Sequence, residues 1–443
     1  PLLRLIGRSS ARGMAGLGRF LAATVPGPEA PSAIGALCAR RWRGSSVETQ
    51  GAQALGAVGR RIPSGSASSS SRVWESKGSA NVVTLSANRL EEFFKAELSF
   101  LGRGTYSTIT LRDILKHREH GDLGPLALLI QRELPLRFAT RVGQIESSTP
   151  EWRDIPELAR LHDMILTSFK QLRLVSVDPE NLDPFTEVVR DVQARHMKHL
   201  VSSVAKAASV LKQCELMDDA ALHEWIGRFM NSRLGSNMLL QHYEALLTDP
   251  DANHIGIVDM RCDPALVCRR AIDHVRGLMD GPPVAINLQV GETDLEFSFI
   301  SSVLFNMVSE VLLNGIRASQ QAGRASSPEP IDVTVCANPK QVVIQISDKG
   351  GGIPHELSDR VWEYMYSTRC ASSKPISVAQ DVFERPDFWE RGMGLPLCRL
   401  YARYLGGSFS LMTMPGCGTD AYIFLKRIDT GDLAPPRCSL YDI

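Results

Sequence analysis

The hydrophobic pattern changes character near residue 253, and this change limits the possible folds more than any other feature of the chain. Between about residues 82 and 250, apolar residues recur at steps of three and four, as on one face of an amphipathic helix. The stretch 184–212 is typical, because Asp183 can cap its start and Pro184 suits its first turn. Long helices joined by short polar breaks predict a helical bundle.

After this change, segments rich in Val, Ile and Phe alternate with helical segments. The sequence predicts five strands, at 284–290, 295–299, 331–337, 341–347 and 420–428. It predicts helices between them, at 262–280, 301–321 and 394–406. Strands and helices mixed in one half predict an α/β sandwich with helices on one face of a sheet. The whole chain is therefore predicted to be of the α+β class.

Composition narrows the classes of function. The 443 residues suffice for two or three domains. The 49 basic and 49 acidic side chains balance, so net charge gives no argument for a nucleic-acid partner. No run of about 18 or more apolar residues is present, which predicts no membrane span. The cysteines form no Cys-x-x-Cys pair, which is typical of a reducing compartment without a zinc site.

The N-terminal segment differs from the rest of the chain. Its first 72 residues contain ten arginines but only two acids, Glu29 and Glu48. An acid-poor segment rich in Arg and Ser is typical of an organelle transit peptide, and an ordinary disordered tail is the alternative. We predict four segments, namely a transit peptide or disordered segment at 1–80, a helical domain at 81–252, a mixed domain at 253–429 and a loose tail at 430–443.

Three polar residues interrupt the apolar helix predicted at 301–321, and they are Glu310, Asn314 and Arg317. Spacings of four and three residues put them on one helical face. The carboxylate can orient a nucleophile or accept its proton, and the amide oxygen can bind a hard cation such as magnesium. Together with the guanidinium they suit a metal–phosphate site. A solvated polar stripe with an internal Glu–Arg pair is the alternative.

A glycine-rich stretch follows one predicted strand. Asp348 ends that strand, and Gly350 and Gly352 follow at alternate positions. Glycine lets the backbone approach a ligand closely, and an acid held beside it can accept a hydrogen bond from an amine such as that of adenine. A tight turn with an Asp cap is the alternative.

Two further glycine motifs lie closer to the C-terminus. Gly392 and Gly394 precede a helix, and free amides at a glycine-rich helix start suit phosphates. The turn 416–420 enters the last strand and carries Thr419. Either motif alone is equally an ordinary turn. The specific signal is the complete set of four motifs in this order.

The ordered set resembles the ATP-binding fold shared by gyrase, histidine kinases and mismatch-repair ATPases, the GHKL fold. Several stretches are more closely similar to the mitochondrial 2-oxoacid dehydrogenase kinases. In the C-terminal half these are EVLLNGIRA, DRVWEYMYST, GMGLPLCRLYARYLGG and GCGTDAYIFLKRI. In the helical half they are QRELPLRFATRV, RHMKHLV, RFMNSRLGSNMLLQHY and HIGIVD. The resemblance covers roughly residues 85–428.

The resemblance implies a four-helix N-terminal bundle followed by a GHKL sandwich. It implies a mitochondrial matrix protein-serine kinase that uses ATP and Mg²⁺ and inactivates the E1α subunit of a 2-oxoacid dehydrogenase complex. The complex is either the pyruvate or the branched-chain one. It also implies the lipoyl domain of the E2 core as a partner, a homodimer and a dependence on K⁺. The alternative is a nucleotide-binding pseudokinase that docks on the lipoyl core as a scaffold.

The resemblance assigns roles to individual residues. Glu310 becomes the catalytic base for the substrate serine, Asn314 the magnesium ligand and Asp348 the adenine contact, while Thr419 supports that contact. The residues implied to bind ATP are Glu310, Asn314, Arg317, Asp348, Gly350, Gly352, Ser367, Thr368, Arg391, Gly392, Met393, Gly394, Leu395 and Thr419. Ser367 and Thr368 begin the lid over the nucleotide.

Some positions depart from the family pattern. Leu313 stands where a lysine is usual, and Gly315 stands where alanine is usual, at a cost of about 1 kcal/mol of helix stability. Glu390 replaces a lid glycine, and its carboxylate would repel a triphosphate unless it turns outward. His196 matches a family histidine near the base, and an ordinary helix-surface histidine is the alternative.

Overall fold

The computed structural model describes residues 86–116, 123–248, 253–278, 282–291, 295–322, 328–368 and 392–428. The predicted transit segment and the C-terminal tail lie outside these residues. The described chain mixes helices and strands, which confirms the predicted α+β class. In the described residues, no helix combines the length and the apolar character that crossing a membrane requires.

The first half of the described chain is helical. Its helices are α1 (Ala87–Leu101), α2 (Leu111–Leu115), α3 (Gly124–Glu146), α4 (Pro156–Leu174), α5 (Asp183–Arg195), α6 (Val201–Gln213) and α7 (Asp219–Leu247). Helix α3 packs against α4 and α7, and α4 packs against α5 and α6. Because α7 also contacts α5 and α6, the long helices enclose one core, an arrangement compatible with the four-helix bundle.

The stretch predicted as one helix at 184–212 consists of α5, one π-helical turn (His196–Leu200) and α6. Pro184 lies in the first turn, as predicted. The prediction that Asp183 caps the helix is wrong, because the helix begins at Asp183 and Leu182 is the N-cap, with no side-chain cap bond. The apolar face is buried at Val192 and Val204, as the spacing predicts.

The second half of the described chain contains two sheets. Strands β1 (His254–Ile255), β2 (Val258–Cys262) and β4 (Phe297–Phe299) form a small antiparallel sheet. The larger sheet contains β3 (Ile286–Val290), β5 (Ile331–Ala337), β6 (Gln341–Asp348), β7 (Ser408–Met414) and β8 (Gly418–Lys426), in the order β3-β5-β6-β8-β7. Its pairs are antiparallel except β3 with β5.

Three helices accompany the larger sheet, namely α8 (Pro264–Leu278), α9 (Ser301–Ala322) and α10 (Gly394–Tyr404). Alternate residues of β6, Val342, Ile344 and Ile346, are buried. Alternation of this kind is expected of a sheet covered on one face. Helix α9 packs against β6, α8 and α10, while α10 also packs against β7. The middle of α9, the end of β6 and the start of α10 therefore lie close together.

Candidate active site

The polar face of α9 is not a solvated stripe. Glu310 is only 3 % exposed, although it carries a carboxylate. Asn314, one turn further along α9, donates a hydrogen bond from Nδ2 to Glu310 Oε1 at 2.9 Å. The amide nitrogen is thus directed at the carboxylate, and the amide oxygen is left to accept from, or bind, another group. This burial excludes the solvated alternative for Glu310.

A cavity of about 160 Å³, here called the Glu310 cavity, opens beside this face. It is lined by Glu310, Asn314, Arg317, Val361, Tyr366, Ser367, Thr368, Gly392, Gly394, Leu395 and Pro396. The structure thus gathers eight of the residues predicted to bind ATP around one space. Val361, Tyr366 and Pro396 were not predicted, and only their position inside the DRVWEYMYST and GMGLPL stretches could have indicated them.

Gly394 at the start of α10 is required by a close approach. A Cβ built at Gly394 would overlap the carboxylate of Glu310. Helix α10 has Met393 as its N-cap, and the Met393 side chain makes no cap bond to the first amides of the helix, which lie at the cavity. Free amides at a helix start attract anions. Met393 itself is fully buried in the core and does not line the cavity.

Gly392 joins the two sides of this cavity. Its φ of +74° lies in the left-handed region, which favours glycine. Its carbonyl oxygen accepts a hydrogen bond from Met365 N at 3.0 Å. A Cβ at Gly392 would overlap the backbone of Tyr366. Residues 365–368 and the start of α10 are therefore held together by backbone contact.

Asp348 lies at the end of β6, opposite Thr419 in the β6–β8 register. Its carboxylate accepts a hydrogen bond from Gly350 N at 2.8 Å. Burial raises the pKa of this carboxyl group, and hydrogen bonds from the amides of Gly350 and Thr419 oppose the rise. Asp348 does not line the Glu310 cavity, but contributes to a separate cavity beside the β7–β8 turn.

Helix α9 nevertheless brings Asp348 near the Glu310 face. A Cβ at Gly315, the residue after Asn314, would lie 3.4 Å from Asp348 Cβ and 3.3 Å from Ile331 Cδ1. An alanine here would be tightly packed, so the glycine makes room for the strand end. The helix-stability cost of Gly315 thus has a structural reason.

Gly350 and Gly352 are packed closely against other parts of the protein. A Cβ at Gly350 would overlap Ala318 on α9, and one at Gly352, whose φ is +70°, would overlap the carbonyl of Met414. These contacts account for both glycines, and their contact with a nucleotide stays a prediction. Thr419 Oγ1 lies 3.2 Å from Thr413 Oγ1, which accepts a hydrogen bond from Ile353 N at 2.7 Å.

The departures from the family pattern have different outcomes. Leu313 is buried in the core, so the cationic side chain that is usual at this position of the family is missing from α9. Glu390 and Arg391 lie outside the described residues. The surface interpretation of His196 is wrong, because this side chain is only 5 % exposed. Its Nε2 lies 3.0 Å from Ser168 Oγ, and it does not line the Glu310 cavity.

Buried arginines in the helical half were not predicted as a group. Arg137 and Arg141 of α3 are fully buried, and Arg233 of α7 is nearly so. Helix α10 reaches this group from the active-site side, because Tyr401 lies beside Arg233 and Tyr404 lies beside Arg137. Arginines in a sequence indicate an exposed position by default, so only the tertiary structure could reveal this cluster.

A cysteine next to the site was also not predicted. Cys398 of α10 is buried one turn after Gly394. Burial, followed by the nearby charge of Glu310, raises the pKa of its thiol well above the usual range. The thiol therefore stays protonated beside the carboxylate, and no signal in the sequence separates it from an ordinary core cysteine.

Comparison with known proteins supports this assembly of motifs. Residues 108–259 match the family model described as mitochondrial branched-chain alpha-ketoacid dehydrogenase kinase. Residues 300–428 match the model described as histidine kinase-, DNA gyrase B- and HSP90-like ATPase. The first match lies in the helical half of the chain, and the second covers the glycine motifs.

Individual relatives agree with the family models. The mitochondrial pyruvate dehydrogenase (acetyl-transferring) kinase of Arabidopsis thaliana is 31 % identical over 70 % of this chain and 86 % of its own length. The corresponding kinase of Ascaris suum is 28 % identical over 73 % of this chain and 83 % of its own length. Isozyme 3 of the human mitochondrial kinase is 28 % identical over 68 % of this chain and 78 % of its own length. The chain therefore belongs to the mitochondrial 2-oxoacid dehydrogenase kinase family and carries a GHKL ATPase domain.

Proposed function

We propose that this chain transfers the γ-phosphoryl group of ATP to a serine of the E1α subunit of a 2-oxoacid dehydrogenase complex, and so inactivates that complex. Family membership supports an ATP-dependent kinase of the pyruvate dehydrogenase kinase type. The observation that carries the proposal is the buried carboxylate of Glu310, held by Asn314 and facing Gly394 at the open start of α10.

The residues present fit a magnesium–ATP complex. The amide oxygen of Asn314 is an oxygen donor of the kind that magnesium prefers, and Arg317 adds a cation on the same face. The first amides of α10 and the hydroxyls of Ser367 and Thr368 offer hydrogen bonds to phosphate oxygens. Magnesium, when bound, would neutralise charge on the transferred phosphoryl group.

Glu310 would act on the acceptor serine. Its Oε1 is fixed by Asn314, so the carboxylate has one orientation towards a hydroxyl in the cavity. In that position it would accept the serine proton as the oxygen attacks phosphorus. Asp348 would accept, in its ionised form, a hydrogen bond from the exocyclic amine of adenine; burial raises the pKa of this carboxyl group, and the amides of Gly350 and Thr419 oppose that rise.

Other parts of the proposal rest on the family alone. They are the mitochondrial matrix location, docking to the lipoyl domain of the E2 core, a homodimer, the K⁺ dependence and the division of the chain at residues 80, 252 and 429. The choice between the pyruvate and the branched-chain complex also remains part of the proposal, because the family model and the relatives name different complexes.

The test is phosphate transfer from labelled ATP and Mg²⁺ to the purified pyruvate and branched-chain E1 components, each with its lipoyl core. We expect incorporation into serine of one component. Glu310→Gln should lower transfer by about 10²–10⁴-fold with ATP binding retained, because Gln can still accept the bond from Asn314. Glu356→Gln, at an exposed residue, is the matched control. Bound ATP without transfer to either component would support the scaffold alternative instead.

A further inference from the structure

A larger cavity lies one helical turn before Glu310. It has a volume of about 390 Å³ and is here called the Arg270 cavity. Side chains of α7, α8 and the first turns of α9 line it, with Tyr401 contributed by α10. A cavity of this size has room for one or two side chains of another molecule.

Two helices place this cavity beside Glu310. On α9, Asn306 lines the Arg270 cavity and precedes Glu310 by four residues, so both lie on one face about 6 Å apart along the helix axis. On α10, Gly394 abuts Glu310, and Tyr401 lines the Arg270 cavity two turns later. Glu310 therefore stands between the Glu310 cavity, proposed for ATP, and the Arg270 cavity.

The charge of the Arg270 cavity is positive. Arg270 and His274 of α8, one turn apart, both contact the ring of Phe305, at 6.0 Å and 5.3 Å from its centre. Asn306 and Gln241 add polar groups to the lining. Among the described residues, no carboxylate lines this cavity. An anionic side chain therefore fits its mouth better than a neutral or cationic one.

We propose that the Arg270 cavity is the acceptor subsite of the kinase, and that Arg270 and His274 select an acidic residue near the serine that is phosphorylated. This inference rests on the proposed function, since it names the segment that approaches Glu310. Both side chains contact Phe305, which precedes Glu310 by five residues on α9, so one extended segment a few residues long can reach from Glu310 to Arg270. The selected Asp or Glu is therefore within about four residues of the acceptor serine.

Peptide binding tests this subsite without requiring phosphate transfer. Dye-labelled peptides with one central serine carry either Asp or Asn at each position within four residues of it. Binding to the full chain is measured by fluorescence anisotropy, with a non-hydrolysable ATP analogue and Mg²⁺ present. We expect Asp at one position within four residues of the serine to bind about tenfold more tightly than Asn.

Variants assign that preference to the cavity. Arg270→Gln should remove the Asp preference, and Arg270→Glu should favour Lys at the same peptide position. Arg269→Gln is the matched control, because Arg269 is the neighbouring residue on α8, is exposed like Arg270, and does not line the cavity. An Asp preference that survives both Arg270→Gln and His274→Gln, or no preference at any position, overturns the proposal.

Transfer to the E1 components separates this inference from the proposed function. If the wild-type chain phosphorylates an E1 component and Arg270→Gln does so with unchanged KM, the acceptor subsite is wrong and the kinase proposal stands. If the Asp preference is present and wild type transfers no phosphate, the subsite stands as a binding site and the kinase proposal is wrong. An increase in KM with little change in kcat is the expected result for Arg270→Gln.

Discussion

Glu310 in one half of the molecule and the three arginines in the other are all buried charges, but their surroundings differ. Glu310 has an amide donor, a glycine in contact and a cavity on its open side. The arginines are enclosed by protein, with Arg141 4.8 Å from the ring centre of Phe138 and bonded to Ser236 Oγ at 2.7 Å. None of them lines the Glu310 or Arg270 cavity.

The difference indicates two uses of a buried charge. A carboxylate beside a cavity can act on a bound molecule, and the structure keeps that side open with Gly394. Three cations near one another are costly to bury, and the nearest carboxylate, Glu133, lies 4.0 Å from Arg137 Nε. The buried arginines nevertheless link α3 and α7 to two tyrosines of α10, Tyr401 and Tyr404.

Gly394→Ala should close the side of Glu310 that faces the cavity. We expect this change to have the largest effect on kcat. The added Cβ overlaps the carboxylate, so Glu310 must move away from its position beside Asn314. We expect kcat for E1 phosphorylation to fall by about a hundredfold, as when a catalytic group is displaced.

A helix glycine with free space provides the control for this change. Gly143→Ala in α3 meets no atom within 4 Å and should leave kcat unchanged while adding up to about 1 kcal/mol of stability. Retained activity in Gly394→Ala would show that the contact with Glu310 is not needed, and a circular-dichroism melt checks that the variant is folded.

Arg141→Met tests whether the arginines carry an unfavourable charge. Burial, followed by the charges of Arg137 and Arg233, lowers the pKa of the Arg141 guanidinium. Ser236 Oγ keeps its bond to the carbonyl of Ser232 at 3.1 Å when Arg141 is removed. We expect the free energy of unfolding to rise by about 1–3 kcal/mol in urea titrations.

The matched control for Arg141→Met is Arg228→Met, which changes an exposed arginine on α7. It should change the free energy of unfolding by less than about 0.5 kcal/mol. A loss of stability in Arg141→Met would mean that the bonds to Ser236 and to the ring of Phe138 outweigh the cost of the buried charge.

The sequence predicted some features of the two halves of the molecule and missed others. Richness in Val, Ile and Phe identified β5, β6 and β8, and helical spacing placed Glu310 and Asn314 on one face of α9. Strand β7 was missed because SFSLMTM has a weak pattern, and β1 because two residues carry none. The five-residue strand β2 was also missed. Strand β4 was predicted, but its membership of the small sheet depends on partners distant in sequence.

Contacts between distant segments explain what the sequence could not reveal. The approach of Gly394 to Glu310 joins residues that are separated by 84 positions, and no local pattern encodes it. Arg137 and Arg141 lie in helix α3, where charged residues would indicate the exposed face. Their burial depends on Arg233, Tyr401 and Tyr404, which become neighbours only in the folded chain.

His196→Gln tests the comparison with the smallest expected effect, because burial and then the nearby arginines keep this histidine neutral. Burial, followed by the charges of Arg141, Arg195 and Arg233, lowers its pKa well below 6.5, and its other near neighbours are Ser168 and the ring of Phe138. Below pH 6.5 the unfolded chain therefore binds a proton that the folded chain does not, and stability falls as the pH drops. The slope reaches at most about 1.4 kcal/mol per pH unit.

Urea titrations at several pH values between about 7 and 5 measure this slope. His196→Gln can still bond Ser168 and should make the slope shallower, whereas His355→Gln, at an exposed residue, should leave it as in the wild type. If His196→Gln keeps the full slope, the buried histidine is not the group that titrates. The arginine cluster would then affect the protonation of His196 less than that of Arg141. In that case only Arg141 would support the contrast between the buried arginines and Glu310.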